Sequence, residues 1–232
     1  MKAMLVTASC LALVLIAGAH GGSDTKGQAI TVKGWGEASD PDGDCRFTVE
    51  KGRLRIGLPG TDHALAFERG QMNAPRALRA VEGDFIAQVE IAGPFPAGAA
   101  SRVSSRRPFH GAGLLLWQDE KNYLRLERAE LVFEGKNMSY ANFEARTGGE
   151  FVRQGDASEL PLAEGPTQLR LERRGGKVYG AVSADGIQWS SLKPIAVELP
   201  KRVLVGVAAG HNTSTPFEPE FQGFKVFAER GE

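Results

Sequence analysis

The chain has 232 residues, of which 42% are hydrophobic and 24% are charged, and it contains 29 glycines and only two cysteines. This composition excludes a disordered chain, a collagen-like repeat and a small disulfide-bonded scaffold. The 28 Lys and Arg residues balance the 28 Asp and Glu residues, so the chain has no overall positive charge to attract nucleic acid or an acidic membrane. We therefore expect a globular protein with a neutral partner and no nucleic-acid binding.

Residues 1–21 have the pattern of a secretory signal peptide. Lys2 supplies a positive charge, an apolar run extends from Ala3 to Ala17, and Ala17-Gly18-Ala19 has the small residues of a cleavage site. The run is shorter than the roughly 20 residues that a membrane-spanning helix needs. No second apolar run of that length occurs later in the chain. We predict a secreted or periplasmic protein whose mature chain, 22–232, is one domain without a transmembrane segment.

From Gly27 onward, apolar residues mostly alternate with polar ones, which is the period of a strand with one buried face. Turn sequences such as Lys51-Gly52 and Asp185-Gly186 separate several of these runs. The predicted strands cover residues 45–50, 53–58, 64–68, 76–81, 84–92, 112–118, 122–129, 138–146, 150–154, 166–173, 177–183, 193–199, 202–209 and 220–228. Many short strands without intervening helices predict an antiparallel sandwich or barrel. The long interruption from Gly93 to His110 is predicted to be a surface loop.

Several short stretches carry a resemblance to a known family. They are Trp35-Gly36-Glu37, Asp40-Pro41-Asp42-Gly43-Asp44, Met72-Asn73-Ala74-Pro75-Arg76, residues 113–119, residues 122–128 and residues 183–189. Together they resemble an uncharacterised family of concanavalin A-like domains that is similar to the C-terminal sandwich of β-xylosidases. The resemblance runs from about Trp35 to Phe227. It implies an all-β jelly-roll sandwich of two antiparallel sheets, one of them concave, in a superfamily of lectins, carbohydrate-binding modules and glucanases. It implies no particular activity, because one fold hosts many functions.

Alternation also predicts which side chains point away from the core. Leu124 and Leu126 face inward, and their neighbours in the strand therefore face outward. Aromatic rings pack on the C–H face of a sugar, while carboxylate, amide and guanidinium groups bond its hydroxyls. The outward phase of four strands contains such a mixture. The predicted ligand-binding residues are Tyr123, Arg125, Glu127, Tyr140, Asn142, Glu144, Arg170, Glu172 and Tyr179. The leading hypothesis is an exported, lectin-like protein that binds an oligo- or polysaccharide without catalysis.

Two alternatives explain the same pattern. Half-exposed tyrosines and cross-strand Arg–Glu pairs stabilise a sheet without any ligand, which leaves a structural or protein-interaction module open. A glycoside hydrolase or lyase would need two carboxylates across the scissile bond. The outward glutamates that could supply them are Glu90, Glu127, Glu144 and Glu172. The clustered Glu-x-Asp-x-x-Glu signature of the concanavalin-like glucanases is absent, and nearby arginines would hold these glutamates ionised, so we predict no catalytic residue.

A metal site is a further hypothesis. Asp40, Asp42 and Asp44 alternate around Gly43, a spacing that lets one loop surround a hard cation with oxygen ligands. A structural calcium ion is therefore a candidate, although Asp-Gly turns also form without metal. The histidines lack paired spacing in the sequence, so zinc is not predicted. Cys45, the only cysteine beyond the signal peptide, lies in an alternating stretch and is expected to be a structural residue.

Overall fold

The computed structural model describes residues 30–98, 100–154 and 160–228, and the predicted signal peptide lies outside them. A short 3₁₀ helix spans Phe67–Arg69, and the remaining elements are strands. The strands are β1 Ile30–Val32, β2 Gly36–Ser39, β3 Arg46–Glu50, β4 Arg53–Gly57, β5 Leu65–Ala66, β6 Gln71–Met72, β7 Arg76–Glu82, β8 Phe85–Ile91, β9 Phe109–Asp119, β10 Asn122–Phe133, β11 Lys136–Thr147, β12 Glu150–Gln154, β13 Thr167–Arg174, β14 Lys177–Ser183, β15 Ser190–Ser191, β16 Ile195–Ala196, β17 Arg202–His211 and β18 Glu220–Ala228. Among the described residues, no helix has the length and apolar character needed to cross a membrane.

The strands form two large antiparallel sheets that pack face to face. Sheet A has the strand order β1-β2-β7-β17-β9-β10-β11-β12. Sheet B has the order β15-β14-β13-β8-β18-β4-β3, with β16 also paired to β14. The two-residue strands β5 and β6 form a separate small ribbon. The architecture is a jelly-roll β-sandwich, which confirms the predicted fold class.

The core lies between the two sheets and follows the predicted alternation. In β8, every second residue from Phe85 to Ile91 is buried, and Leu124 and Leu126 of β10 enter the same cluster. Leu169 and Leu171 reach it from β13 of sheet B. Each fully buried side chain of this size contributes roughly 1.5–3 kcal/mol relative to an exposed position. The two-residue period therefore fixes which face of each sheet is turned inward.

The strand predictions fail where polarity or proline interrupts the pattern. Strands β1 and β2 are missed because Ile30–Val32 has only three residues and Gly36–Ser39 is largely polar. The predicted strand 193–199 is reduced to the two-residue strand β16, which follows Pro194, a residue without a backbone N–H for a sheet ladder. The predicted loop 93–110 ends earlier than expected, because β9 begins at Phe109. Phe95 of this loop packs against Phe217, with ring centroids 5.1 Å apart.

Candidate functional site

The predicted ligand-binding residues divide between opposite faces of the sandwich. Six of them lie on the adjacent strands β10 and β11 and point away from the core on the outer face of sheet A: Tyr123, Arg125, Glu127, Tyr140, Asn142 and Glu144. The other three, Arg170, Glu172 and Tyr179, lie on β13 and β14 of sheet B. The core separates the two sets. The predicted single binding face is therefore two separate surfaces.

A cavity of about 420 Å³ lies on the outer face of sheet A, and we call it the sheet A cavity. Its floor is formed by β10 and β11, and β12 supplies one wall through Phe151 and Arg153. The segment 62–69 and the end of the 93–110 loop supply the other walls. Four of the predicted residues line it: Arg125, Tyr140, Asn142 and Glu144.

An ion and amide network covers the floor of the sheet A cavity. Arg125 donates to Glu144 at 2.6 Å and lies 3.6 Å from Glu127. Asn142 donates through Nδ2 to Glu127 Oε1 at 2.8 Å. Its amide oxygen accepts hydrogen bonds from Nε and Nη2 of Arg153, at 3.0 and 2.7 Å. Because each group is held by a neighbour on an adjacent strand, the donors and acceptors of the floor have fixed directions.

The surroundings shift the pKa values of the two buried carboxyl groups of this network in opposite directions. Burial raises the pKa of Glu127, and Arg125 offsets only part of that effect. Burial also acts to raise the pKa of Glu144, but Arg125, Arg146 and Arg153 outweigh it, so this pKa falls below its ordinary value. Glu144 is therefore a firmly ionised group between three guanidinium groups.

The three tyrosines have different environments. Tyr123 is only 2% exposed, because its ring stacks on Trp117 and is covered by Leu65 and Ala74. Burial raises its pKa. Tyr140 lines the sheet A cavity but is 3% exposed, so its ring has no open face for a sugar. Tyr179 lies on sheet B, where the Arg174 guanidinium covers its ring at 5.0 Å. The three tyrosines therefore do not form one stacking platform, because Tyr123 and Tyr140 are buried and Tyr179 lies on the opposite sheet.

Phe151 provides the exposed aromatic surface of the sheet A cavity. It is 49% exposed and lies beside Arg146, its partner in the β11–β12 register. The Arg146 guanidinium packs on this ring at 4.1 Å and also donates to both carboxylate oxygens of Glu68, at 2.8 and 3.0 Å. Alternation places Phe151 and Arg153 on the same face, since Val152 between them packs on the core. The alternation of these three residues in the sequence indicates this shared face.

The cavity has an excess of positive charge. Six arginines line it against three acids, Asp62, Glu68 and Glu144, with Glu127 adjacent to the floor. Within the residues that the structure describes, Arg106 and Arg107 make no ion pair, and Arg107 instead packs on Phe133 at 4.1 Å. The balanced charge of the whole chain conceals this local excess.

Glycines on the outer face of sheet A allow neighbouring groups to approach closely. A Cβ atom on Gly113 would lie 2.4 Å from Cα of Glu127. A Cβ atom on Gly210 would lie 2.8 Å from the carbonyl oxygen of His63. Only glycine permits these contacts, so β9 can approach Glu127 of the neighbouring strand β10 closely, and the segment that carries His63 lies directly on the sheet.

The predicted calcium residues do not point to one centre. Asp40 accepts hydrogen bonds from the backbone N–H groups of Gly43 and Cys45, at 3.1 and 2.8 Å. Asp42 accepts from Asn73 at 2.7 Å. Asp44 turns to His63, with Oδ1 2.9 Å from Nε2. Asp42 and Asp44 thus approach a histidine, while Asp40 closes the turn.

Three histidines that are distant in sequence are close together in the fold. The ring centroids of His63 and His211 are 5.8 Å apart, and those of His110 and His211 are 5.6 Å apart. Burial lowers the pKa of His110 and lowers that of His211 to about 4. Both rings are bonded by neighbours, including the carbonyl oxygen of Pro59 to His211 at 2.7 Å. These two histidines are neutral structural groups at pH 7.

No protein-family model and no curated protein matches the chain. Solved structures match most of it. A functionally unknown protein from Saccharomyces cerevisiae has a TM-score of 0.59 and 18% identity, over 80% of this chain and 93% of its own. The xylan β-1,4-xylosidase from Bacillus halodurans C-125 has a TM-score of 0.52 and 15% identity, over 82% of this chain and 38% of its own. The alginate lyase from Klebsiella pneumoniae has a TM-score of 0.54 and 11% identity, over 78% of this chain and 84% of its own.

These matches show a shared fold. The chain spans about two fifths of the xylosidase, so it corresponds to one part of that longer protein. At identities below a fifth, no residue role transfers from one protein to another.

Proposed function

We propose that the chain is an exported, non-catalytic carbohydrate-binding protein, and that the sheet A cavity is its binding site. The observation that carries the proposal is the juxtaposition of an exposed aromatic ring, Phe151, with the fixed floor network of Arg125, Asn142 and Arg153. The cavity volume of about 420 Å³ falls within the range of roughly 300–1,000 Å³ of small-molecule sites. Residues 22–232 form one domain in this proposal, and residues 1–21 direct its export.

The floor and walls offer a sugar both types of contact that it requires. Phe151 presents a ring face on which the C–H face of a pyranose can pack. Arg153 presents guanidinium donors beside the amide of Asn142. Asp62 also lines the cavity, and its carboxylate is a further acceptor group at the wall.

The preferred ligand in this proposal carries carboxylate or sulfate groups. Arg106 and Arg107 have no ion-pair partner among the described residues, and both lie at the cavity wall. Guanidinium groups bind planar carboxylates with two parallel hydrogen bonds. The net charge of the chain led us to expect a neutral partner. We propose an acidic sugar instead, because a ligand interacts with the charges that line the cavity rather than with the net charge of the chain.

The fold supports a carbohydrate-related role. A xylan β-1,4-xylosidase and an alginate lyase share the sandwich. Membership of the uncharacterised concanavalin A-like family remains part of this proposal, and it rests on the motifs from Trp35 to Trp189.

A glycoside hydrolase or lyase is the second candidate. Glu127 and Glu144 favour it, because their environments move the two pKa values apart, as in an acid and base pair. The geometry favours binding more strongly. Both carboxylates are at most 6% exposed, and arginine or amide groups already occupy their oxygens. The other two outward glutamates of the sequence, Glu90 and Glu172, lie on sheet B and cannot complete this pair.

The experiment is a binding screen on purified protein with neutral and acidic oligosaccharides, followed by calorimetry. Phe151→Ala should abolish or strongly weaken binding, and Tyr179→Ala, an aromatic change on the opposite sheet, is the matched control. Recovery of the intact oligosaccharide supports a binding protein, whereas cleavage that is lost in Glu127→Gln supports the enzyme. Failure of every sugar to bind the folded protein would overturn the proposal.

A further inference from the structure

Asp44, Cys45 and His63 form a cluster of metal-ligating side chains beside the sheet A cavity. The His63 Nε2 atom lies 2.9 Å from Asp44 Oδ1 and 3.5 Å from Cys45 Sγ. Cys45 Sγ lies 3.5 Å from the same Asp44 oxygen. The Asp42 carboxylate approaches the histidine nitrogen to 4.0 Å. One imidazole, one thiol and two carboxylates therefore converge on one point.

The hydrogen bonding of His63 leaves a conflict in the neutral ring. Its Nδ1 atom is 3.1 Å from the carbonyl oxygen of Thr61, which can only accept a hydrogen bond. Its Nε2 atom faces the Asp44 carboxylate, which also only accepts. A neutral imidazole has one N–H group, so it can donate to only one of these two oxygens, and its other nitrogen faces only a long contact of 3.5 Å to a possible donor, the Thr61 hydroxyl at Nδ1 or the Cys45 thiol at Nε2. The side chain is fully buried, and this makes the conflict costly.

A cation among the three ligand atoms removes the conflict. In this arrangement Nδ1–H donates to the Thr61 carbonyl, and the Nε2 lone pair binds the metal, which is the usual orientation of a metal-bound histidine. Zinc bonds of about 2.0–2.3 Å imply distances of roughly 3.3–3.8 Å between tetrahedral ligands. The observed separations of 2.9, 3.5 and 3.5 Å are close to this range. Only the Asp44–His63 pair would have to separate slightly.

We propose that Asp44, Cys45 and His63 bind a zinc-class divalent cation, with Asp42 or a water molecule as the fourth ligand. A thiolate and an imidazole are ligands that zinc prefers and that calcium does not. On binding, the thiol proton of Cys45 is released to solvent, because the thiolate is the ligand form. Asn73 donates to Asp42 and keeps its carboxylate directed at the cluster. This site revises the sequence-based choice of both metal and ligands, and Asp40 takes no part in it.

The position of the cluster gives the cation a structural role. It would join the turn 40–45 to the segment 61–63. Asp62 and His63 line the sheet A cavity, and His63 pairs through its backbone with His211 at the end of β17, with both N–O distances 2.9 Å. The cation would thereby fix one wall of the cavity. The site does not depend on the sugar proposal, since its ligands need no sugar.

The test uses purified protein stripped with a chelator and then titrated separately with Zn²⁺, Ca²⁺ and Co²⁺. We expect one zinc per chain by elemental analysis, a rise in melting temperature with Zn²⁺ but not with Ca²⁺, and a thiolate-to-cobalt charge-transfer band with Co²⁺. Cys45→Ser should remove that band and lower zinc affinity at least tenfold. Asp44→Asn should lower it similarly. Asp185→Asn, in a distant Asp-Gly turn, is the matched control and should leave zinc affinity unchanged.

Three results would overturn the proposal. The first is the absence of zinc binding by the folded wild-type protein. The second is stabilisation by Ca²⁺ instead of Zn²⁺, which would restore the oxygen-ligand hypothesis. The third is zinc affinity that is unchanged in a folded Cys45→Ser variant.

Discussion

Arg128 and Glu130 form an ion pair with no exposed side-chain surface, and removal of one partner gives a strong test of the packing at this end of the sandwich. The Arg128 guanidinium donates to Glu130 at 2.8 and 3.1 Å. It also donates to the carbonyl oxygens of Ala163 and Gly165, at 3.2 and 3.0 Å, and to Thr167 Oγ1 at 2.8 Å. One side chain thus connects β10 of sheet A with the segment that leads into β13 of sheet B.

Arg128→Ala should lower the free energy of unfolding by about 3–5 kcal/mol, because it leaves the Glu130 carboxylate buried without its cation. This is a large part of the roughly 5–15 kcal/mol that stabilises a typical domain. For a chain of this size it corresponds to a decrease of roughly 6–20 °C in melting temperature. The double variant Arg128→Met/Glu130→Leu should cost less than the single one, about 1–3 kcal/mol, since it leaves no unpaired buried charge and only neutral groups lose a hydrogen-bond partner: the carbonyl oxygens of Ala163 and Gly165 lose a donor, and Asn137 and Ser139 lose an acceptor.

The assay is urea unfolding of both variants, with Arg46→Ala as the control. Arg46 pairs with Glu218 at 3.2 Å on the exposed surface, so its removal should cost less than about 1 kcal/mol. The reasoning is refuted if Arg128→Ala costs no more than the control. It is also refuted if the double variant is less stable than Arg128→Ala, because that would show no penalty for the unpaired carboxylate.

Three further predictions concern other parts of the molecule. The pKa of His211 falls to about 4 and that of His110 is also lowered, so the folded state binds fewer protons than the unfolded one below pH 6.5. In the presence of a chelator, the free energy of unfolding should therefore decrease as the pH falls from 6.5 to 4, and His211 should account for on the order of 2–3 kcal/mol of this decrease. Urea unfolding at each pH measures it, and in His211→Gln the free energy should depend less on pH. Gly113→Ala should lower the free energy of unfolding by about 1–3 kcal/mol, because the added Cβ would overlap the backbone of Glu127. Thermal melting measures this change, and an unchanged stability would refute the close contact. Arg106→Gln should weaken the binding of acidic oligosaccharides, but not of neutral ones, as measured by calorimetry. An equal loss of affinity for both kinds of sugar would contradict the charge argument.

The sequence Leu-Arg-Leu-Glu-Arg occurs twice, at 124–128 and at 169–173, and it shows both what alternation predicts and where it fails. The first copy lies in β10 and the second in β13, and in both strands the two leucines enter the core, as alternation predicts. The last arginine of each copy, Arg128 and Arg173, lies on the inward phase and is buried. Arg173 donates to the carbonyl oxygens of Leu199 and Pro200, at 3.0 and 2.8 Å. An arginine at an inward-facing position of a strand thus indicates a hydrogen bond to the backbone of another segment. Which segment supplies the carbonyl oxygens becomes known only from the topology.

The candidate site was predictable in part. Alternation correctly placed Arg125, Asn142 and Glu144 on an outer face, and the structure adds that their strands are neighbours. The same rule placed Tyr123 on that face, but β5 and β6 cover it with Leu65 and other apolar residues. Local pattern gives the direction of a side chain relative to its own sheet. It does not reveal which distant segment lies over that face.

The proximity of Asp44 and Cys45 to His63, and of the three histidines to one another, cannot be found from sequence spacing. Asp44 and Cys45 are separated from His63 by a strand pair, β3 and β4, and only the folded turn brings them together. Spacing rules find ligands that share one loop or helix. They miss ligands that separate loops bring together at one end of a sandwich.

The most direct test of the central claim compares two arginine variants in the same calorimetric titration with an acidic oligosaccharide. Arg153 lies in the sheet A cavity, and Arg170 lies on sheet B, where it packs on Trp189 at 4.0 Å. Loss of a charge-assisted hydrogen bond costs about 1.5–3 kcal/mol, so Arg153→Gln should raise Kd about 10- to 100-fold. Arg170→Gln should leave Kd unchanged. If Kd were unchanged in Arg153→Gln but raised in Arg170→Gln, the binding site would lie on sheet B and the account would be contradicted.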